Sequence, residues 1–344
     1  MYKPTTYKPK TYIPSNTQTL LRSRTTELNM IQIENSPSLN TLMTTVMAET
    51  PYLPEADVTV SLIEMTDDDR NEVLGFLAER PVHTVCIAGL IRDNGLVSPH
   101  NRGMFYGCRN SEGRLEGVAL IGHATLIEAR TARAMQEFGL VAQGFLRTHM
   151  ILGEKEKVEQ FWNYYADEGQ EMRLACREHL FELRTAMQLR EEIDGLRRAT
   201  LEDLDKIAPV QASMAECESG INPLEVDPEG FRARCARRIE MGRVWVFEDG
   251  GRLIFKADVQ ADTPDVVYIE GVWVNPADRG NGIGRKCLRQ LCQDLLTRTK
   301  SVCVLVNEDH HRAHTFYRMC NFKLRGVYDS IFLQPIDRRV SEND

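Results

Sequence analysis

No stretch of this 344-residue sequence stays apolar for the ~18–20 residues that a helix needs to cross a bilayer. No C-x-x-C pair occurs among its nine cysteines, their number is odd, and no secretory signal precedes them. They therefore read as reduced, mostly buried small apolar residues of a cytoplasmic protein, with no ligand spacing for a metal. Acids are missing from the first 26 residues, which hold Lys3, Lys8, Lys10, Arg22 and Arg24. Setting those five cations aside takes the formal charge of the rest from −8 to −13. So acidic a body argues against a nucleic-acid surface. A membrane partner and a nucleic-acid partner are both unexpected.

What is present divides unevenly. Residues 1–55 are rich in Thr, Ser, Asn and Pro, and Tyr2-Lys3-Pro4, Tyr7-Lys8-Pro9 and Tyr12-Ile13-Pro14 recur every five residues. Such a segment buries too little surface to offset its ordering entropy, and is expected to be a disordered tail. A second tail is expected at 336–344. Between them the chain reads as mixed α/β. Its punctuation repeats: a strand ends at Thr66-Asp67-Asp68-Asp69, and another at Thr200-Leu201-Glu202-Asp203, each opening a helix. Hairpin turns at Gly113-Arg114-Leu115 and Gly251-Arg252-Leu253 repeat as well. The landmarks lie 134 and 138 residues apart, which points to one fold present twice, at 56–190 and at 195–335. In the first half strands are expected at 58–65, 104–108, 117–129, 148–153 and 172–182, with helices at 132–145 and 155–167. In the second, strands are expected at 243–248, 253–259, 266–274, 301–306 and 326–333, with helices at 285–297 and 312–320.

The halves differ at one place. After strand 266–274 comes Arg279-Gly280-Asn281-Gly282-Ile283-Gly284, then a helix. Strand, glycine-rich turn and helix aim backbone N–H groups at an anion, and the glycines let the main chain approach it. Arg279 adds a charged donor. The dinucleotide fingerprint G-x-G-x-x-G fails, because Arg285 stands where its third glycine should be. The P-loop fails for want of a Lys-Ser or Lys-Thr. At the matching point of the first half there is only Arg130-Thr131-Ala132.

The spacing that does fit, [Arg/Gln]-x-x-Gly-x-Gly/Ala, resembles the acetyl-CoA pyrophosphate loop of the GNAT superfamily of N-acetyltransferases. The resemblance covers the second half from about Leu196 to Leu333. It implies an α/β (α+β) fold of two GNAT-like domains, each a mixed, mostly antiparallel sheet flanked by helices, the first degenerate and the second catalytic. By the same resemblance residues 279–284 would hold the cofactor's pyrophosphate. Main-chain groups of Val272, Trp273 and Val274 would hold its pantetheine arm. Gly271 suits a bulge in that strand.

Two side chains stand out as catalytic candidates. Glu270 sits within an apolar run, where a carboxylate is costly unless paired or functional. The resemblance makes it the base that deprotonates the amine, directly or through water; the plainer alternative is a structural partner for an Arg. Ala313-His314-Thr315-Phe316-Tyr317, followed by Asn321-Phe322, resembles the family's Ala-x-x-x-Tyr…Gly-Phe segment. Tyr317 would then protonate the departing thiolate, since a phenol keeps its proton at neutral pH; the plainer alternative is a core tyrosine packed on Phe322. The family's Asn before that Ala is replaced by His310, which leaves Asn307 or His310 as the cofactor contact. His310 and His314, i and i+4, invite a metal, but no third ligand follows and none is expected. Cys287, Cys292 and Cys303 invite a nucleophile reading; core packing accounts for them better.

The expected activity is transfer of an acetyl group from acetyl-CoA to a primary amine, of a small molecule or a peptide, by direct attack in a ternary complex. The rivals are a non-catalytic acyl-CoA-binding regulatory protein and an ATP-binding one. The sequence does not choose between monomer and homodimer.

Overall fold

The computed structural model describes residues 60–189 and 191–335; the expected tails at 1–55 and 336–344 lie outside them. The first half runs β1 (Ser61–Glu64), α1 (Arg70–Leu77), α2 (Pro81–Asn94), β2 (Gly103–Arg109), β3 (Leu115–Gly122), β4 (Ala124–Ala129), α3 (Ala132–Ala142), β5 (Met150–Glu154), α4 (Lys155–Tyr165) and β6 (Met172–Leu183). The second runs β7 (Arg197–Arg198), α5 (Leu204–Ser219), the short α6 (Pro223–Val226), α7 (Pro228–Glu240), β8 (Val244–Asp249), β9 (Arg252–Asp262), β10 (Val266–Val274), α8 (Ile283–Leu295), β11 (Ser301–Asn307), α9 (His311–Met319) and β12 (Lys323–Leu333).

The repeat seen in the sequence is a repeat in space. Thr66 (φ −114°, ψ 169°) and Thr200 (φ −115°, ψ 169°) cap their helices in the same conformation. Each accepts from the third residue's backbone N–H, and each receives that residue's carboxylate on its own N–H: Asp69 at 2.9 Å and Asp203 at 2.8 Å. These are two copies of one capping box.

All strands join one sheet in the order β1-β2-β3-β4-β5-β12-β6-β11-β10-β9-β8-β7. The last strand of each half has changed places. β12 pairs with β5 of the first half, and β6 pairs with β11 of the second. β6 and β12 then pair with each other over ten register positions, so the halves are laced together at the centre.

Alternation along β10 divides the layers. Val267 and Ile269 face α9 and α8, and the apolar stripe of α8, Cys287, Leu288, Leu291, Cys292 and Leu295, follows helical spacing. Val266 and Tyr268 face the opposite layer, where α2 supplies Val85. That helix crosses from its own half onto β9. A Cβ on Gly89 would stand 2.5 Å from the Cβ of Ala261, so only glycine permits the approach. Asn94 Oδ1 accepts from Arg237 at 3.0 Å, and Asp93 pairs with Arg243, tying the helix to the second half.

Candidate active site

β10 and β11 are parallel and paired at only three positions, Val266 with Ser301, Val267 with Val302 and Tyr268 with Cys303. Beyond Tyr268 they diverge, β10 keeping β9 and β11 keeping β6. The edge of β10 that turns to β11 therefore has unspent backbone groups from Ile269 onward, and Val272, Trp273 and Val274 stand half-buried along it. A bulge interrupts the β9 ladder between Glu270 and Trp273, centred on Gly271 at φ +58°. A side chain at Gly271 would also meet Lys256 Nζ at 3.0 Å and Gln211 at 3.2 Å.

The loop at 279–284 closes the wide end of this split. Gly280 (φ +90°) and Gly282 (φ +87°) take left-handed conformations that L side chains avoid. Gly282 is the N-cap of α8 and offers no capping side chain, and the first turn of the helix carries no acid. Asn281 Oδ1 accepts from Ile283 N at 3.0 Å. Arg279 Nε donates to the Val274 carbonyl at 3.0 Å, anchoring the loop to the strand end. Gly284 is buried, and a Cβ there would lie 2.6 Å from Val274 Cγ2, so glycine lets α8 sit against β10. Glycine-opened backbone, a helix N-terminus whose N-cap has no side chain and the adjoining cations Arg279, Arg285 and Lys286 fit a pyrophosphate.

Glu270 lies two residues past the last parallel pair, with its side chain 30% exposed. Arg238 Nη1 of α7 donates to its Oε1 at 2.7 Å and to Asp258 Oδ2 at 3.0 Å. Asp258 in turn faces Lys256 Nζ at 2.7 Å, and that lysine, fully buried, also donates to Gln211 Oε1 at 2.6 Å. The four charges balance, as buried ions must. The sequence alternative for Glu270, a partner for an Arg, is realised, and it coexists with an exposed edge on the split.

Further carboxylates gather around it. Glu178 of β6 accepts from Ser330 Oγ at 2.5 Å, and burial raises its carboxyl above the usual range. Glu218, near the end of α5, is open to solvent but walled by protein; desolvation, then the charges of Glu178 and Glu270, push its carboxyl up to about 8. One of these acids comes from the first half, carried across on the exchanged strand.

Tyr317 is buried to 6%, with its ring edge-on to Phe322 at 5.4 Å and stacked on Phe181 at 6.4 Å. Burial, with Cys292 and Cys320 nearby, raises its phenol well above the ordinary value, so it keeps its proton throughout the neutral range. Asn307, at the end of β11, uses Oδ1 on the Asp309 amide at 2.9 Å, and its carbonyl accepts from His314 Nε2 at 2.9 Å. His310 is exposed at the N-cap of α9. His314 points inward and His310 outward, so the i, i+4 pair does not converge. Cys287, Cys292 and Cys303 are buried in the core, and desolvation pushes the Cys287 thiol up to about 12, far from a nucleophile's range. Seven of the nine cysteines are buried.

Arg238, Lys256, Asp258 and Glu178 escaped the sequence reading. Lys256 and Asp258 left a trace: they interrupt Leu253-Ile254-Phe255 and Ala257-Val259, as Glu270 interrupts its own run. Arg238 left none, because its partner is 32 residues away.

Residues 211–322, from α5 to the start of β12, match the model of the acetyltransferase (GNAT) family. Among solved structures, an acetyltransferase of the GNAT family from Colwellia psychrerythraea superposes with a TM-score of 0.51 at 13% identity, over 80% of this chain and 100% of that one. A Drosophila protein superposes at 0.59 and 13% identity, over 80% of this chain and 98% of that one. A tandem GNAT protein from the clavulanic acid biosynthesis pathway aligns at 0.49 and 13%, over 81% and 100%. No curated protein matches the sequence. The GNAT family's model thus matches a segment within the C-terminal half of this chain, and the likeness to the Colwellia and Drosophila structures is one of fold.

Proposed function

We propose that the second half transfers an acetyl group from acetyl-CoA to a primary amine held in the cleft between the halves. The observation that carries this reading is the three-pair split of β10 and β11. It opens onto a glycine cradle at one end and has Glu270 on its rim. Acetyl-CoA would supply the acetyl thioester. Amides of Gly280–Gly284 and the N-terminus of α8 would hold its pyrophosphate, and the free edge of Val272, Trp273 and Val274 its pantetheine.

Glu270, or a water it orients, takes the proton from the amine. Arg238 fixes where its carboxylate points. Backbone N–H groups at the Gly271 bulge meet the negative charge that develops on the carbonyl oxygen. Tyr317, held protonated by burial, returns a proton to the leaving sulfur. Asn307 and His310 stand at the mouth of β11 as further cofactor contacts. The acidic wall of Glu178, Glu218 and Glu270 favours a cationic amine.

The test is acetyl-CoA binding by calorimetry, followed by release of free thiol with a panel of amines. Binding at one site per chain, with turnover cut by about 10²–10⁴-fold in Glu270→Gln and Tyr317→Phe, is expected. Binding without release, untouched by both substitutions, would instead identify a non-catalytic acyl-CoA-binding protein. ATP binding without CoA binding would remove both.

A further inference from the structure

Beside Glu178 and Glu218 lies a cluster that the reaction above does not use. His123, in the turn between β3 and β4, stacks on His149, just before β5, with ring centroids 5.1 Å apart. Arg102 and Arg173 adjoin them. Desolvation, then the charge of Arg102, drives His123 down to about 3; His149 is lowered by desolvation, Arg173 and Arg102. Both rings are therefore neutral N–H donors at pH 7.

Neither guanidinium is spent on a carboxylate: part-buried Arg173 has unpartnered nitrogens, and Arg102 is exposed. Arg173 Nε and Nη2 are buried and have no hydrogen-bond partner within the protein, and its plane lies over Phe332 at 5.9 Å. Arg102 makes no ion pair among the described residues, whereas nearby Arg234 is satisfied by Asp227 at 3.0 Å. Arg102 also has a left-handed backbone (φ 54°, ψ 32°), unusual for a side-chain-bearing residue. The fold enforces it. The Arg102 carbonyl accepts from His123 N at 2.8 Å, and a Cβ on Gly122 would come within 2.4 Å of that carbonyl. Two glycines, Gly103 and Gly122, thus bring Arg102 and His123 together.

The cluster adjoins the acids. Arg173 and Glu178 share β6, five residues or ~16 Å apart along the strand. Cys176, between them, feels the charges of Glu178, Glu218 and Arg173. Gly220, two residues after Glu218, stands 3.5 Å from Arg173 Nη1, measured from the Cβ position it leaves empty.

We propose that Arg102, His123, His149 and Arg173 form a subsite for an anionic oxygen group, carboxylate or phosphate, carried by the acceptor. The amine accepted is then one with a negative group several bonds from its nitrogen. The identity of that ligand rests on the acetyl-transfer reading; the binding of an anion does not.

The experiment uses the full chain saturated with CoA, so that the glycine loop is filled. Inorganic phosphate and 6-aminohexanoate are titrated by calorimetry, with hexylamine as the uncharged-tail control. Acetyl transfer to the two amines is then measured. Arg173→Gln should weaken phosphate and 6-aminohexanoate at least about tenfold and raise KM for 6-aminohexanoate. It should leave hexylamine and CoA alone; Arg102→Gln should act likewise, and Arg173→Lys should recover part of the loss. Phosphate affinity equal in wild type and both Gln variants overturns the subsite, as does an equal loss for hexylamine. Phosphate binding that 6-aminohexanoate does not compete for overturns the acceptor assignment in favour of a free anion. Anion binding lost in Arg173→Gln, with no amine acetylated, upholds the subsite and overturns acetyl transfer.

Discussion

The protein contains two splayed strand pairs, and their comparison explains why one half is assigned the chemistry. β4 and β5 pair at three parallel positions, Ala124 with Met150, Thr125 with Ile151 and Leu126 with Leu152, as β10 and β11 do. Two residues past the last pair each half has a glutamate, Glu128 or Glu270. Glu128 is 4% exposed and bound by Arg80 at 2.9 Å and Lys157 at 2.6 Å. The same Arg80 reaches Glu154 at 2.7 Å, so four charges occupy the first split. His83 Nδ1 and the Tyr328 hydroxyl, 2.9 Å apart, sit beside them. At the helix that follows, Thr131 Oγ1 accepts from Ala134 N at 3.2 Å, taking up an amide that α8 leaves free. Ion pairs hold the glutamates of the first split beside a small cavity lined by Leu126, Glu128, Leu152 and Glu154, whereas Glu270 at the second stays part-exposed to solvent.

The sharpest way to break this contrast is Gly284→Val. Its Cβ would overlap Val274 and lift α8 from β10, so acetyl-CoA affinity should fall by about 100-fold or more by calorimetry. The converse, Thr131→Gly, should leave the stoichiometry at one; a second bound CoA would end the distinction between the splits.

Next in size is removal of the clamping arginines. Arg80→Met leaves Glu128 and Glu154 to share Lys157 and should cost about 2–3 kcal/mol in urea unfolding, because Glu128 is buried. Arg238→Met should cost less, about 1 kcal/mol, because Glu270 faces solvent and Asp258 retains Lys256. A larger loss at Arg238 would mean that the second split is as structural as the first.

The capping boxes come third. Asp203→Asn should destabilise by about 1–2 kcal/mol at pH 7, and Asp69→Asn by less, since Asp203 is buried and Arg197 grips it at 2.7 Å and 2.9 Å. Hydrogen bonds from Arg197, foremost, hold the Asp203 carboxyl down at about 2. Its contribution is therefore present above the unfolded value near 4 and vanishes as pH falls toward 2. Chemical denaturation of both variants from pH 2 to 7 would reveal a difference that does not shrink in acid, if this is wrong.

The smallest effect concerns Glu218→Gln. A carboxyl raised to about 8 weakens the folded state as pH climbs from about 4.5 to about 8, because only the native form still holds the proton. The variant should match wild type near pH 4.5 and melt progressively later than it up to pH 8. A constant difference in Tm across that range would refute the assignment.

Much of this was legible beforehand. The strand at 266–274 appears with those bounds, because an apolar run ends cleanly at Asn275-Pro276. The glycine loop was legible because left-handed backbone demands particular residues. The expected strand at 117–129 is in fact two, broken at His123, where Gly122 turns against Gly103; alternation alone does not mark that corner. α2 was missed because it is buried on two sides, Ile87 and Ile91 in the core of the first half and Val85 against the second, which leaves no polar stripe of helical period. The exchange of β6 and β12 left no trace at all. A strand's alternation says which face it buries and is silent on which neighbour it pairs with.

That exchange has a consequence for inheritance. Each half lacks its own sixth strand, so neither can be discarded or expressed alone as a complete sheet, and a break in the backbone after Leu183 would leave two interlocked pieces rather than two proteins. Mutations along β6 of the first half should be felt in the second, because β6 pairs with β11 and carries Glu178. The first half is tied to the second by the strand it lends.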